Sequence, residues 1–174
     1  MSNLASKERF IYIANARMPT ERAHGWQIMK MCEAFALNGA RLTLLVPRRW
    51  RNPFGGDPFD FYKVNRTFKI IHLPCIDFLS FTHDGFLAIL AFKLQAATFA
   101  LSVFAYSLFK KSVFFTRDHF SGILLAFAGK RVFFEIHDNP RTSSLMRLLM
   151  NNLSGLVTTN AWKGDAAQRI RPPL

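Results

Sequence analysis

Residues 10–46 read FIYIANARMPTERAHGWQIMKMCEAFALNGARLTLLV. The stretch opens on Phe10-Ile11-Tyr12-Ile13-Ala14, an apolar run rich in β-formers that ends at Asn15, as a buried strand does. Residues 15–24 carry polar and turn-forming types and predict a loop. From about Gly25 the apolar positions Ile28, Met31, Cys32, Phe35 and Ala36 recur at helical spacing, and Gly39 supplies the stop. Arg41 to Val46 reads as a second strand. Strand, helix and strand in such close succession make a βαβ unit, whose crossover is expected to be right-handed.

The alternation continues. Pro47 to Thr67 is expected to be loop, because Pro53, Gly55, Gly56 and Pro58 interrupt any period. Phe68 to Leu73 predicts a third strand, closed by Pro74, and Gly85 to Phe109 a long helix. Strands are expected at Ser112–Thr116, Arg131–Ile136 and Gly155–Thr159. Between and after them, helices are expected at Ser121–Ala128, Thr142–Asn152 and, as a closing turn or helix, Trp162–Ile170. Short strands alternating with helices specify an α/β fold, a doubly wound and mainly parallel sheet with helices on both faces. The 174 residues fit one domain with a core of ordinary size.

Composition narrows the class. Half of the residues are apolar and 14% aromatic, which excludes a disordered chain. Cys32 and Cys75 are the only cysteines, too few for a disulfide scaffold, and no stretch at the start reads as a signal peptide. Reduced, structural thiols and a cytoplasmic location are therefore expected. The formal charge of +12 and pI near 10.4 call for a polyanionic partner or an anionic surface. Nucleic acid is disfavoured, since no zinc-finger spacing, aromatic RNA-binding signature or basic amphipathic helix occurs. The cations sit instead in short clusters: Arg48-Arg49-Trp50-Arg51, Lys110-Lys111, Lys130-Arg131, and Arg169 with Arg171. Arginine beside tryptophan suits a lipid headgroup layer, although any one cluster also reads as a solvated loop. Taken together the clusters favour peripheral attachment to the inner face of a membrane.

The apolar segment 85–109 raises the question of a bilayer span. Its longest uncharged stretch, Leu94 to Phe109, is sixteen residues, short of the ~20 that a spanning helix needs. Any longer window includes Lys93, at a cost of roughly 2.5–3.5 kcal/mol near the bilayer centre. A buried or interface-facing helix is the preferred reading, a single-pass anchor the alternative.

Open α/β sheets bind ligands at the carboxyl ends of their strands, so the residues that follow each strand are the candidates for function. After the first strand stand Asn15, Arg17, Pro19, Thr20, Glu21, Arg22, Ala23, His24 and Gly25, leading into a helix. A helix N-terminus suits phosphate, and Arg17 and Arg22 add to it; an ordinary capped loop has the same composition. Neither GxGxxG nor GxxxxGK[ST] occurs. After the fourth strand come Thr116, Arg117, Asp118 and His119; at the end of the fifth come Glu135, His137, Asp138 and Asn139. A histidine beside a carboxylate can orient a sugar hydroxyl or carry a proton near neutral pH, and such pairs also start helices. The histidines and cysteines show no metal-ligand spacing, and no nucleophilic Cys–His arrangement is expected.

Several runs resemble family-4 glycosyltransferases. The opening IYIANARMPTERAHGWQIMKMCEAFALNGARLTLLVPRR, the middle DPFDFYKVNRTFKIIHLP, then VFFTRD, GKRVFFEIHDNP and GLVTTNAWKGD follow the family's order over about residues 8–167. The resemblance implies the N-terminal, acceptor-side half of a GT-B enzyme, two facing Rossmann-like domains with the active site between them. It places the family's first loop on Arg22, Ala23, His24 and Gly25, its sugar-contacting histidine on His137, and a further cleft-lining strand end on Thr116 and Arg117. It implies a nucleotide-sugar co-substrate, a sugar acceptor, retention of configuration as the favoured outcome, and no obligatory metal. The family's glycine-rich first loop is here reduced to Gly25 behind Ala23 and His24. The Glu-x7-Glu signature of the donor-binding half is not found, since no two of Glu8, Glu21, Glu33 and Glu135 are eight positions apart. Residues 1–174 are thus expected to form the N-terminal domain alone, inactive until joined by a donor-binding half. The alternative is a Rossmann-like module without catalysis that binds an anionic ligand, a membrane surface or a protein partner through Arg17, Arg22 and residues 48–51.

Overall fold

The structure is a computed structural model that describes residues 9–78, 85–136 and 149–158. Six parallel strands form one sheet: β1 (Arg9–Ile13), β2 (Arg41–Pro47), β3 (Lys69–Leu73), β4 (Val113–Thr116), β5 (Arg131–Ile136) and β6 (Gly155–Thr158). Their order across the sheet is β3-β2-β1-β4-β5-β6. This is the doubly wound, Rossmann-like arrangement, in which the order of winding reverses between β1 and β4.

Helices cover both faces. α1 (Ala23–Leu37) and α2 (Pro58–Tyr62) lie on one side, α3 (Phe86–Ser107) and α4 (His119–Phe127) on the other. The strands divide their side chains accordingly. Tyr12, Leu44 and Phe115 pack with Ile28, Met29 and Cys32 of α1 and with Phe59 and Tyr62 of α2. Ile11, Ile13, Leu45 and Phe114 pack with Phe99 and Val103 of α3 and with Leu125 of α4. Strands covered on both faces read as near-continuous apolar runs, as these do. Both cysteines are free, Cys32 buried in the α1 face.

The helix α1 stops as its sequence predicts. Gly39 takes φ +92°, its N–H donates to the Ala36 carbonyl, and the Ala40 N–H donates to that of Phe35. That pair of bonds is a Schellman stop, which needs the left-handed residue that glycine supplies. In three places the sequence reading needs correction, the first being that α1 starts at Ala23, inside the loop expected at 15–24. Pro47 to Thr67 is not all loop, because Asp57 caps α2 by accepting from the Phe59 N–H at 2.7 Å and Pro58 opens the helix. The fourth helix begins two residues earlier than expected, at His119, because Asp118 caps it through the Ser121 N–H at 2.9 Å. Residues 149–152 are helical and bury Leu149 and Met150, in keeping with the last part of the helix expected there. The rest of that helix and the closing element at 162–170 lie outside the described residues.

Candidate functional site

Beside the point where the winding reverses, the loops that leave β1, β2 and β3 enclose a crevice at the strands' carboxyl ends. One wall is the loop from Ala14 to Arg22. It is braced from several sides. Tyr62 of α2 donates its hydroxyl to the Thr20 carbonyl at 2.7 Å and accepts the Thr20 N–H at 2.6 Å. Asn52 donates to the Pro19 carbonyl, and the Met18–Pro19 peptide is cis. Arg17 pairs with Glu21 at 3.0 Å and lies over the Phe54 ring. The Glu21 carboxyl is held below its ordinary range by its own backbone N–H first, with the Thr20 hydroxyl and Arg17 adding to it.

Asn15, at the head of this loop, is fixed from across the sheet. Gln95 of α3, fully buried in a helix that is otherwise almost wholly apolar, donates its amide to the Asn15 Oδ1 at 2.9 Å. A buried amide costs free energy unless it is bonded, so this contact sets the Asn15 side chain with its carbonyl oxygen turned inward.

The crevice has a volume of about 550 Å³ and is lined by Asn15, Arg17, Arg22 and His24 together with Arg49 and Arg51 from the end of β2. Arg49 is anchored by Asp77 at 2.7 Å, and the same carboxylate accepts the Trp50 N–H, which fixes the 48–51 turn at the rim. α1 starts at Arg22 with no side-chain cap, leaving its first turn to favour an anion. Burial, then the charges of Arg117 and Arg22, push the His24 pKa below its ordinary value. His24 is thus neutral at pH 7, able to donate or accept one hydrogen bond beside a concentration of guanidinium charge.

On the far side of β1 from this crevice lies β4. Thr116 is fully buried and its hydroxyl donates to the Ile13 carbonyl at 3.1 Å while accepting the Asp118 N–H at 2.9 Å. Arg117 donates to the Tyr12 hydroxyl at 3.2 Å, and that hydroxyl donates to Glu135 at 3.3 Å. Burial raises the Tyr12 pKa well above the usual phenol range, so it stays a neutral link in this chain.

The residues singled out in the sequence therefore divide. Arg17, Arg22 and His24 meet in the crevice, and Arg117 lies within electrostatic reach of His24. Thr116 does not line it; its hydroxyl is spent tying β4 to β1. Gly25, at the start of α1, packs closely: its N–H donates to the Arg22 carbonyl, and a Cβ there would run into Tyr62 Oη and Thr20 Cγ2. His137 and Asp138 lie outside the described residues. The sequence reading gave the 48–51 cluster either to a membrane patch or, with Arg17 and Arg22, to an anionic ligand, and the structure brings Arg49 and Arg51 to the crevice beside those two arginines. Among the described residues no group of three His, Cys, Asp or Glu side chains could hold a metal ion.

A wider groove, about 750 Å³, lies at the other end of the sheet and is lined by Arg9, Phe109, Lys110, Lys111, Lys130 and Arg131 among others. It sits at the amino ends of the strands, where open α/β sheets do not place their ligand loops. The smaller crevice is therefore the candidate site despite its size. No protein-family model matches the chain, and a search of curated proteins finds no match.

Proposed function

We propose that this chain is the acceptor-binding half of a glycosyltransferase that moves a sugar from a nucleotide-sugar to an acceptor at the inner face of a membrane. The observation that supports this most is the convergence of Arg17, Arg22 and His24 with Arg49 and Arg51 at the carboxyl ends of a parallel sheet. These are the loops on which the sequence resembles family-4 glycosyltransferases. Guanidinium groups bind phosphate oxygens bidentately, and Arg22 at an uncapped helix start adds the partial charge of that terminus. In such a reaction they would counter the charge that builds on the departing diphosphate, the task a divalent metal performs elsewhere. Neutral His24 and Asn15 offer hydrogen bonds to acceptor hydroxyls. His137 is proposed, on the resemblance alone, as the residue nearest the transferred sugar, with Asp138 beside it. Retention of configuration is the proposed outcome.

A nucleotide-sugar needs a second, donor-binding half to face this one. The test is to combine the chain with such a half and a radiolabelled nucleotide-sugar in the presence of membranes. Label passing into acceptor only when both halves are present, and falling at least a hundredfold with Arg22→Ala, is the expected result. No transfer with any donor, together with saturable binding of an anionic ligand in the crevice, would establish the second reading, a non-catalytic binding module resting on the same arginines.

A further inference from the structure

We propose that the outer face of α3 is a monotopic docking surface for an anionic lipid bilayer, which holds the mouth of the crevice at headgroup depth. On the sugar-transfer reading above, the acceptor is then a lipid-borne one presented from the bilayer.

The helix has two unlike sides. Ala91, Gln95, Ala96, Phe99, Ala100, Val103 and Ser107 form one stripe and are buried against the sheet. The other side exposes Phe86, Leu87, Ile89, Leu90, Leu94 and Leu101 to solvent, followed by Leu108 and Phe109, the last 98% exposed. A contiguous apolar surface along a helix about 33 Å long far exceeds the scattered apolar residues of an ordinary exterior. The segment after β3 widens it. Ser102 donates to the Pro74 carbonyl and Thr98 accepts the Ile76 N–H, so residues 74–78 lie along α3 and add exposed Ile76 and Phe78. Trp50 meets Phe78 edge-on with ring centroids 6.4 Å apart.

Charge decides what covers this surface. Its one charged residue within the helix is Lys93, long enough to reach past its apolar neighbours. At one end stand Trp50 and Arg51; at the other, Lys110, Lys111 and Lys130 border Phe109. Among the acids, Asp57 and exposed Asp60 lie at α2 on the opposite face of the sheet, where Arg66 pairs with both, and exposed Glu21 on the crevice loop is paired with Arg17. An apolar strip with aromatic and cationic residues at both ends is the pattern of a helix lying in the plane of an anionic interface. The helix lies on the bilayer rather than across it, because its inner stripe is bound to the sheet through the buried Gln95 and the rings of the core. Phe92, on the side of the inner stripe one turn before Gln95 and Ala96, lines the crevice together with Arg51, so the crevice mouth lies by the N-terminal half of α3 and beside the lipid.

The test is flotation of the full chain with phosphatidylcholine vesicles containing or lacking phosphatidylglycerol. The variants are Leu90→Glu/Leu101→Glu on the outer face, Lys110→Gln/Lys111→Gln at its end, and Leu37→Glu on α1 as control. Circular dichroism establishes that each is folded. Binding to the anionic vesicles is expected, falling at least tenfold in the Leu90/Leu101 variant, several-fold in the lysine variant and not at all in Leu37→Glu. Binding unaffected by the Leu90/Leu101 change overturns the proposal, as does absence of binding by the unaltered chain. Retention of the bound chain by the vesicles at alkaline pH would show a spanning helix and overturn it too. A dimer that the Leu90/Leu101 variant abolishes, with no vesicle binding, would assign the surface to a second copy instead. The vesicles carry neither sugar nor acceptor, so failure here leaves the reading of the crevice intact, and loss of transfer with vesicle binding preserved counts against that reading alone.

Discussion

The helices α1 and α3 are crossover helices on opposite faces of one sheet, and each buries a single stripe, yet their outer sides have little in common. α1 turns outward Gln27, Lys30 and Asn38, with Trp26 and Leu37 standing apart from each other. α3 turns outward a continuous apolar strip interrupted only by Lys93. α1 also closes on a glycine stop, whereas α3 runs into Leu108 in an ordinary right-handed conformation. The difference teaches that a helix can serve the fold with one side and keep the other for a partner. α1 contributes to function through its first turn, at the crevice; α3 contributes through its length.

That contrast breaks most readily on the two sides of α3 itself. Phe99→Ala, on the buried stripe, is expected to cost about 3–5 kcal/mol of stability, since it removes a whole ring from the core. Leu101→Ala, two positions on and exposed, is expected to stay within about 0.5 kcal/mol. Urea denaturation of both variants reads the difference, and equal losses would show that the outer side is covered within the chain itself.

The next largest effect belongs to the start of α1. Gly25→Ala is expected to destabilise by about 1–3 kcal/mol, because the added methyl meets the Tyr62 hydroxyl and Thr20. The same denaturation experiment reads it. A neutral result would mean that Gly25 is there for something other than packing. At the other end of α1, Gly39→Ala is expected to cost about 1–2 kcal/mol because alanine resists its positive φ. Leu108→Ala, at the end of α3, should cost less.

The smallest effect concerns charge. Burial and the neighbouring Arg117 and Arg22 lower the His24 pKa, so between that folded value and the unfolded value near 6.5 the unfolded chain binds more protons. The stability that neutral His24 represents is therefore complete above about pH 6.5 and is lost as the pH falls towards the folded value. An NMR titration of the His24 ring should show a midpoint below 6.5 that rises in Arg22→Ala. A midpoint at or above 6.5 would mean that neither burial nor the arginines disfavour the charged ring.

Much of this is legible in the sequence, and what is not has physical reasons. The sheet is legible because its strands are buried on both faces and read as apolar runs such as Phe10 to Ala14. α2 escapes because prolines and glycines dominate its surroundings, although Asp57-Pro58 is itself a helix start. Arg17, Arg22 and His24 follow from the rule that ligands meet strands at their carboxyl ends, while Thr116 shows its limit. A hydroxyl at a strand end can turn inward and bond the neighbouring strand. The Gln95–Asn15 contact joins residues eighty positions apart, and no local pattern anticipates it.

The central claim is that ligand chemistry resides in the crevice at the carboxyl ends of the strands, and the most direct test is to map where an anion binds. Isotopically labelled protein titrated with inorganic pyrophosphate, a stand-in for the diphosphate of a nucleotide-sugar, is expected to show saturable shifts at Asn15, Arg22 and His24. Arg22→Ala/Arg51→Ala should weaken them at least tenfold. Shifts concentrated instead at Arg9, Lys110, Lys111 and Lys130, in the groove at the opposite end of the sheet, would contradict the account.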